Sequence, residues 1–264
     1  MPQTVSAFHN SDIVYNHFLN KNNTTREYST HSHTMMCEIL FFRQGNASYV
    51  IENREYKLQE NDLVFIRPAR YHYIRFDAPH SYERYVIKFN NNALHINTDI
   101  LPGDGEIFHC EQGGIIESIF KKLDYYTAKF DKKALSEIVA FLIKEIVYNL
   151  SLSNSPAPAP KLLSPAVSEA LNYINEHLFT IKNVEEISRA VYVSENYFFN
   201  TFKKQMHITP KKYLTEKRLL YAQDRIRLGK KPTDIYEECG FQNYPSFYRA
   251  YMQFFNHAPS QDRP

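Results

Sequence analysis

The stretch Ile235–Arg263, "IYEECGFQNYPSFYRAYMQFFNHAPSQDR", decides the fold. The chain holds only 7 glycines in 264 residues, and Gly240 stands here between two runs of helical period. Ile235 and Cys239 share one face of the first run; Phe247, Tyr251 and Phe254 share one face of the second. Glycine takes a positive φ at no steric cost, so the segment reads as helix, tight turn, helix.

The same pattern occurs upstream. Ile187, Val191, Phe198, Phe202 and Pro210 recur as Ile235, Cys239, Phe247, Tyr251 and Pro259, at an offset of 48 for the first two pairs and 49 for the last three. One extra residue therefore sits in the second copy's turn. In the first copy the turn runs through Tyr192-Val193, and Ser194 is a good N-cap for that copy's second helix. Between the copies, Leu219, Ala222 and Ile226 define one helix face and Gly229 its stop.

A helix-turn-helix presents the exposed face of its second helix to the DNA major groove. Those positions are Glu195, Asn196, Asn200, Lys203 and Lys204 in the first copy, and Gln242, Asn243, Tyr244, Ser246 and Arg249 in the second. Asn, Gln and Arg carry the paired donors and acceptors that match base edges, while Lys and Tyr suit phosphates. A merely solvated face explains one such helix well and two paired copies poorly.

The residues Ile235, Gly240, Phe241, Phe247, Arg249, Tyr251, Pro259 and Arg263, with Arg218 and Ala222 upstream, resemble the signature of AraC-type transcription regulators. The resemblance covers about residues 165–264 and implies a DNA-binding module with two helix-turn-helix units. Tyr236 replaces a usual alanine, His207 and Asn256 replace glycines after the two reading helices, and Pro245 opens the second of them.

Ser151 to Pro160, "SLSNSPAPAP", is a linker by composition. The expected organisation is 1–150 sensor and dimerisation domain, 151–164 linker, and 165–264 DNA-binding domain. Residues 27–90 read as short strands with turns at 8–12-residue spacing, the pattern of a sandwich or barrel. Two helices come next, through Ile115, Ile119, Leu123 and Tyr126, and through Leu135, Ile138, Leu142, Ile146 and Leu150. These helices offer more apolar surface than a terminal pair easily buries, which predicts a homodimer through residues 115–150. The fold class expected is α+β with two domains: a cupin-like β-barrel with two helices, then an all-α domain.

Within the strand region, "HSHTMMCEILFFRQG" places His31, His33, Glu38 and Gly45 at a spacing that resembles the first cupin motif. "NDLVFIRPARYH" resembles the second, ending at His72, but Asn61, Arg67 and Ala69 stand where glycine, proline and glycine are usual. His31, His33, Glu38 and His72 either line a ligand pocket, hold structural hydrogen bonds or bind a divalent metal. Arg67, Tyr71 and Tyr73 add donors suited to a polar metabolite such as a sugar, or belong to a tyrosine-rich core. No resident cofactor is expected.

Net charge is +2, divided as 14 Lys+Arg against 11 Asp+Glu from Pro165 onward and 17 against 18 before it, which decides nothing alone. No run reaches the roughly 18 apolar residues of a membrane span, and the N-terminus lacks the pattern of a secretory signal. Cys37, Cys110 and Cys239 read as reduced core thiols of a cytoplasmic protein. The expected function is a transcription regulator, not an enzyme, with DNA, a small effector, a second copy and RNA polymerase as partners. A cupin-type metal-dependent enzyme with an added helical domain and a helical adaptor are the alternatives; neither needs paired base-reading helices.

Overall fold

The computed structural model describes residues 3–20, 36–52, 54–68, 70–76, 81–102, 106–153 and 160–263. His31, His33, Asn53, Ala69 and linker residues 154–159 lie outside the described residues. The chain divides into two compact units, the first holding most of residues 1–161 and the second built on 162–264.

The first unit contains β1 (Gln3–His9), β2 (Ile13–Asn20), β3 (Cys37–Gln44), β4 (Ala47–Ile51), β5 (Arg54–Lys57), β6 (Asp62–Ile66), β7 (His72–Phe76), β8 (Tyr82–Phe89) and β9 (Ile107–His109). One sheet runs β1-β2-β8-β3-β6-β9; in a second, β4 lies between β5 and β7. β3 is buried on both faces, which is why it reads as a continuous apolar run rather than an alternation. Its Leu40 and Phe42 join Tyr49, Ile51, Val64, Ile74 and Phe76 in the core between the sheets. Its Cys37, Ile39 and Phe41 face the other way, into the core under the helices α1 (Ile115–Thr127) and α2 (Lys132–Ser151).

Two findings correct the sequence expectation. The strands form two sheets around a shared core rather than one closed barrel. With one face of the larger sheet against the smaller sheet and the other under helices, both apolar faces are covered without closure. The strands also begin earlier than residue 27, with the antiparallel β1–β2 hairpin. β1 is mostly exposed and β2 carries Asn16 and His17 among its apolar residues, so neither shows clean period-2 alternation.

The second unit is helical: α3 (Pro165–Glu176), α4 (Val184–Ala190), α5 (Glu195–Met206), α6 (Pro210–Arg227), α7 (Pro232–Ile235) and α8 (Tyr244–Phe255), then a 3-10 turn at Pro259–Asp262. The sequence names its own boundaries. Ser194, Thr209 and Asn243 each accept a hydrogen bond from the N–H three residues on, at the starts of α5, α6 and α8. His207 and Asn256 end α5 and α8 in the left-handed region, at φ +53° and +60°, where glycine is usual. Phe198 and Phe202 in the first copy, and Phe247 and Tyr251 in the second, are fully buried.

Candidate nucleic-acid interface and sensor core

The two helix-turn-helix units are α4–α5 and α7–α8. Their turns are held at equivalent residues. Tyr192 and Gly240, at the offset of 48, both take positive φ, +57° and +80°. The tyrosine is 93% exposed, so its side chain meets no obstacle. Gly240 has no such room: a Cβ there would fall 2.7 Å from Arg218 Nε, 2.8 Å from its Cζ and 2.9 Å from the Phe179 carbonyl oxygen. The Arg218 guanidinium donates to the carbonyls of Leu178 (2.8 Å), Gly240 (2.9 Å) and Ile181 (2.6 Å). A buried cation on α6 thus ties the segment entering the first helix-turn-helix to the turn of the second. Asp262 closes the other end. It accepts from Tyr251 Oη (2.6 Å), Gln223 Nε2 (2.9 Å) and Arg227 Nε (3.1 Å), clasping the terminal turn to α6 and α8.

On α5, Glu195, Asn196, Asn200, Lys203 and Lys204 are exposed. Asn200 Nδ2 donates to Asn196 Oδ1 at 2.9 Å, which fixes the amide orientations one turn apart. On α8, Arg249 is exposed, as are Gln242 and Asn243 just before the helix. Asn243 Oδ1 is engaged as the cap, 2.9 Å from Ser246 N. Tyr244 and Ser246 are half-buried, and Tyr244 packs on the rings of Tyr236 and Phe247. Among the described residues, no carboxylate pairs with Lys203, Lys204 or Arg249, so their charge faces outward. The sequence reading passed over four exposed apolar side chains on the same helices, Tyr197 (53%), Phe199 (38%), Tyr248 (38%) and Met252 (37%). Phe199 and Tyr248 differ by the repeat's offset of 49, a signal already present in the sequence.

In the first unit, Glu38 and His72 come together between the sheets. His72 Nε2 lies 3.4 Å from Glu38 Oε2, Tyr49 Oη donates to Glu38 Oε1 at 3.3 Å, and Lys88 Nζ stands 3.5 Å from Oε2. The strand register explains the meeting: His72 pairs with Ile51 and alternates inward with Ile74 and Phe76. Burial, together with the neighbouring Glu38 carboxylate, holds the Tyr49 phenol far above its ordinary pKa. Tyr73 alternates to the opposite face of β7, and both it and Tyr71 are buried. Arg67 is half-buried over the ring of Phe65, 5.9 Å from its centroid; Phe65 belongs to the helix-facing core, so Arg67 does not join Glu38 and His72. His31 and His33 lie outside the described residues. Among the described residues no group of three or more His, Cys, Asp or Glu side chains is arranged to hold a metal ion.

A second buried polar cluster anchors α1 to the sheet. Asp124 accepts from Tyr15 Oη at 2.5 Å, from Tyr85 Oη at 3.2 Å and from Ser6 Oγ. His17 bridges two carboxylates, with Nδ1 2.9 Å from Asp124 Oδ2 and Nε2 3.0 Å from Glu83 Oε1. Burial opposes the imidazolium charge, but bonding to Asp124 and Glu83 outweighs it and pushes the His17 pKa up to about 9. The three cysteines are free and buried, and burial pushes each thiol up to about 12.

The comparisons with known proteins meet this geometry at both ends of the chain. Residues 18–117 match the AraC-like ligand binding domain and residues 187–264 match a helix-turn-helix domain. The "Probable transcriptional regulator LumQ" of Photobacterium leiognathi is 34% identical over 91 residues, 34% of this chain and 37% of that relative's length. The "Uncharacterized HTH-type transcriptional regulator YobQ" of Bacillus subtilis is 24% identical over 234 residues, 88% of each chain. Among solved structures, apo ToxT K231A of Vibrio cholerae aligns over 96% of this chain and 97% of its own, at 13% identity and a TM-score of 0.41.

A ligand-binding sheet unit joined to a paired helix-turn-helix unit defines a DNA-binding transcription regulator. The chain belongs to the AraC-type transcription regulators. Its relatives above are named as regulators, and the alternative of a cupin enzyme gains no support from them. No described helix is long and apolar enough to cross a membrane.

Proposed function

We propose that α5 and α8 read an operator in the major groove and that the first unit adjusts this reading to a small polar metabolite. The observation that carries the first part is the repeat. Two capped helices of equal length, each buried through the same pair of aromatics, turn Asn196, Asn200, Lys203 and Lys204, and Gln242 and Arg249, outward. Asn200 and Arg249 occupy equivalent positions, and both residue types make paired hydrogen bonds to base edges. Lys203 and Lys204, unpaired with carboxylates among the described residues, suit phosphates.

For the sensor, buried Glu38, His72 and Tyr49 with half-buried Lys88 support a polar ligand, and a carbohydrate is the class their donors and acceptors fit. The arrangement does not require a metal. A homodimer is supported by a different face from the one the periodicity suggested. Ile119, Leu123, Leu135, Leu142 and Ile146 are buried in the unit's own core, whereas Phe141 (68% exposed) and Tyr148 (62%) on α2, with Leu152 (77%) at its C-cap, are turned outward. A dimeric regulator of this class works on RNA polymerase at a promoter, in the cytoplasm.

The test is selection of bound duplexes from a random pool by the full chain. A recovered consensus whose affinity falls steeply with salt supports the reading, because phosphate contacts release counterions. Recovery of no consensus, with weak salt-insensitive binding, overturns it.

A further inference from the structure

The surfaces of α5 and α8 differ at nearly every exposed position of the repeat. Asn196 is matched by Pro245, Tyr197 by Ser246, Asn200 by Arg249 and Lys203 by Met252. One exposed position keeps an aromatic ring in both copies: Phe199 and Tyr248, each 38% exposed. Tyr197 (53%) and Tyr192 (93%) are more exposed, but their counterparts are a serine and a glycine. Each repeated aromatic stands beside the hydrogen-bonding residue of its helix, Asn200 or Arg249. Each also lies in an i, i+3, i+7 row, Asn196–Phe199–Lys203 and Pro245–Tyr248–Met252.

Each ring packs partly on its own unit and leaves more than a third of its surface open, and the repeat places that open surface at the same point of both helices. The major groove offers one apolar group on its base edges, the C5 methyl of thymine, and apolar side chains such as phenylalanine pack on it. Phosphates offer no such contact, and the C–H surface of deoxyribose is the same at every base and carries no sequence. The outward lysines and Arg249 supply the complementary charge around both rings.

We propose that Phe199 and Tyr248 each read a thymine methyl, so that each half of the operator is specified by an aromatic residue and its hydrogen-bonding neighbour. This rests on α5 and α8 being the reading helices. It adds that the operator carries two methyl-sensitive thymines, about 10 base pairs apart if the two helices enter successive major-groove turns.

The experiment uses the full chain and a duplex selected by it from a random pool, with each thymine replaced singly by deoxyuridine, which lacks only the methyl. At two positions the replacement should weaken binding about fourfold, the effect of one methyl-sized apolar contact. Phe199→Ala should abolish the thymine preference at one position and Tyr248→Ala at the other, while Phe199→Leu, which keeps an apolar surface, retains it. If no replacement matters, or if the preference survives in both alanine variants, the proposal fails. Asn200→Ala and Arg249→Ala separate the causes. Weakened binding by these two leaves the reading helices standing and removes only the methyl readout. Unchanged binding removes both.

Discussion

Gly240 and Tyr192 show how one backbone requirement is met in two ways. Both turns need a left-handed residue, which costs a side chain of L chirality about 1–2 kcal/mol. At Gly240 that strain would add to collision with the Arg218 guanidinium, whose bonds to three carbonyls leave it nowhere to go. Gly240→Ala is therefore expected to destabilise the DNA-binding unit by more than about 2 kcal/mol. Tyr192→Gly has the opposite sign, because it relieves strain at an exposed side chain, offset in part by the greater freedom of glycine in the unfolded chain. Its expected effect lies within about 1 kcal/mol of neutral. Urea unfolding of both variants measures the contrast, and equal losses would refute it.

Arg249 and Asn200 carry a second prediction at this scale. Alanine at either should cost about 1–3 kcal/mol at the selected operator and relax preference at one base position. Selection repeated with each variant reads this directly, since a phosphate contact would lower affinity without changing the consensus.

At the scale of elements, α1 is pinned by charge as well as by packing. His17 charges more readily when folded, with a pKa raised from 6.5 to about 9, so the stability it contributes is complete below pH 6.5 and lost as pH rises through about 9. Asp124, half-buried but bonded by His17, Ser6 and Tyr15, is held below its ordinary 3.8, and its contribution is lost as pH falls beneath that value. The anchor is strongest between 3.8 and 6.5. The sensor unit should lose on the order of 3 kcal/mol from pH 6 to pH 10 through His17, at about 1.4 kcal/mol for each tenfold gain in proton affinity on folding. Thermal unfolding across that range checks it; His17→Gln should flatten the alkaline slope. Helix α2 carries the other element-scale prediction. Phe141→Asp with Tyr148→Asp should dissociate the dimer without unfolding the unit, because both side chains point away from the core. Sedimentation of the double variant would contradict the proposed interface if the dimer persisted.

For the whole molecule, the question is what the sensor tells the reader. A polar metabolite acting through the Glu38–His72 site should change operator affinity by about 5- to 150-fold, a coupling of about 1–3 kcal/mol, and chelators should not. Glu38→Gln should weaken the response while α5 and α8 still bind DNA. Thermal-shift screening with and without chelator distinguishes the cases. A stoichiometric divalent metal that raises the melting temperature, with no metabolite doing so, would replace the pocket with a metal site.

How much of this was legible beforehand differs by unit. In the DNA-binding half, periodicity, caps and stop signals are local, so the helices around Phe198, Ile226 and Phe247, and the turn at Gly240, could be read from neighbours in the chain. The repeat made the reading mutual, since each copy checks the other. What local signals could not supply is long-range. Arg218 is a motif residue in the sequence, and only the folded chain brings it to carbonyls 22, 37 and 40 residues away. The N-terminal half depends on such contacts almost throughout. Its first hairpin lacks alternation, its sheets meet without closing, and Asp124 gathers Ser6, Tyr15, His17 and Tyr85 from three strands. Likewise, the apolar residues of α1 and α2 announced a buried face, but their sequence is the same whether a sheet or a second copy covers it. Pattern along the chain determined which residues are helical, capped and apolar, because those preferences act within a few residues. The identity of the covering surface was decided by tertiary packing, because burial depends on what arrives from elsewhere in the chain.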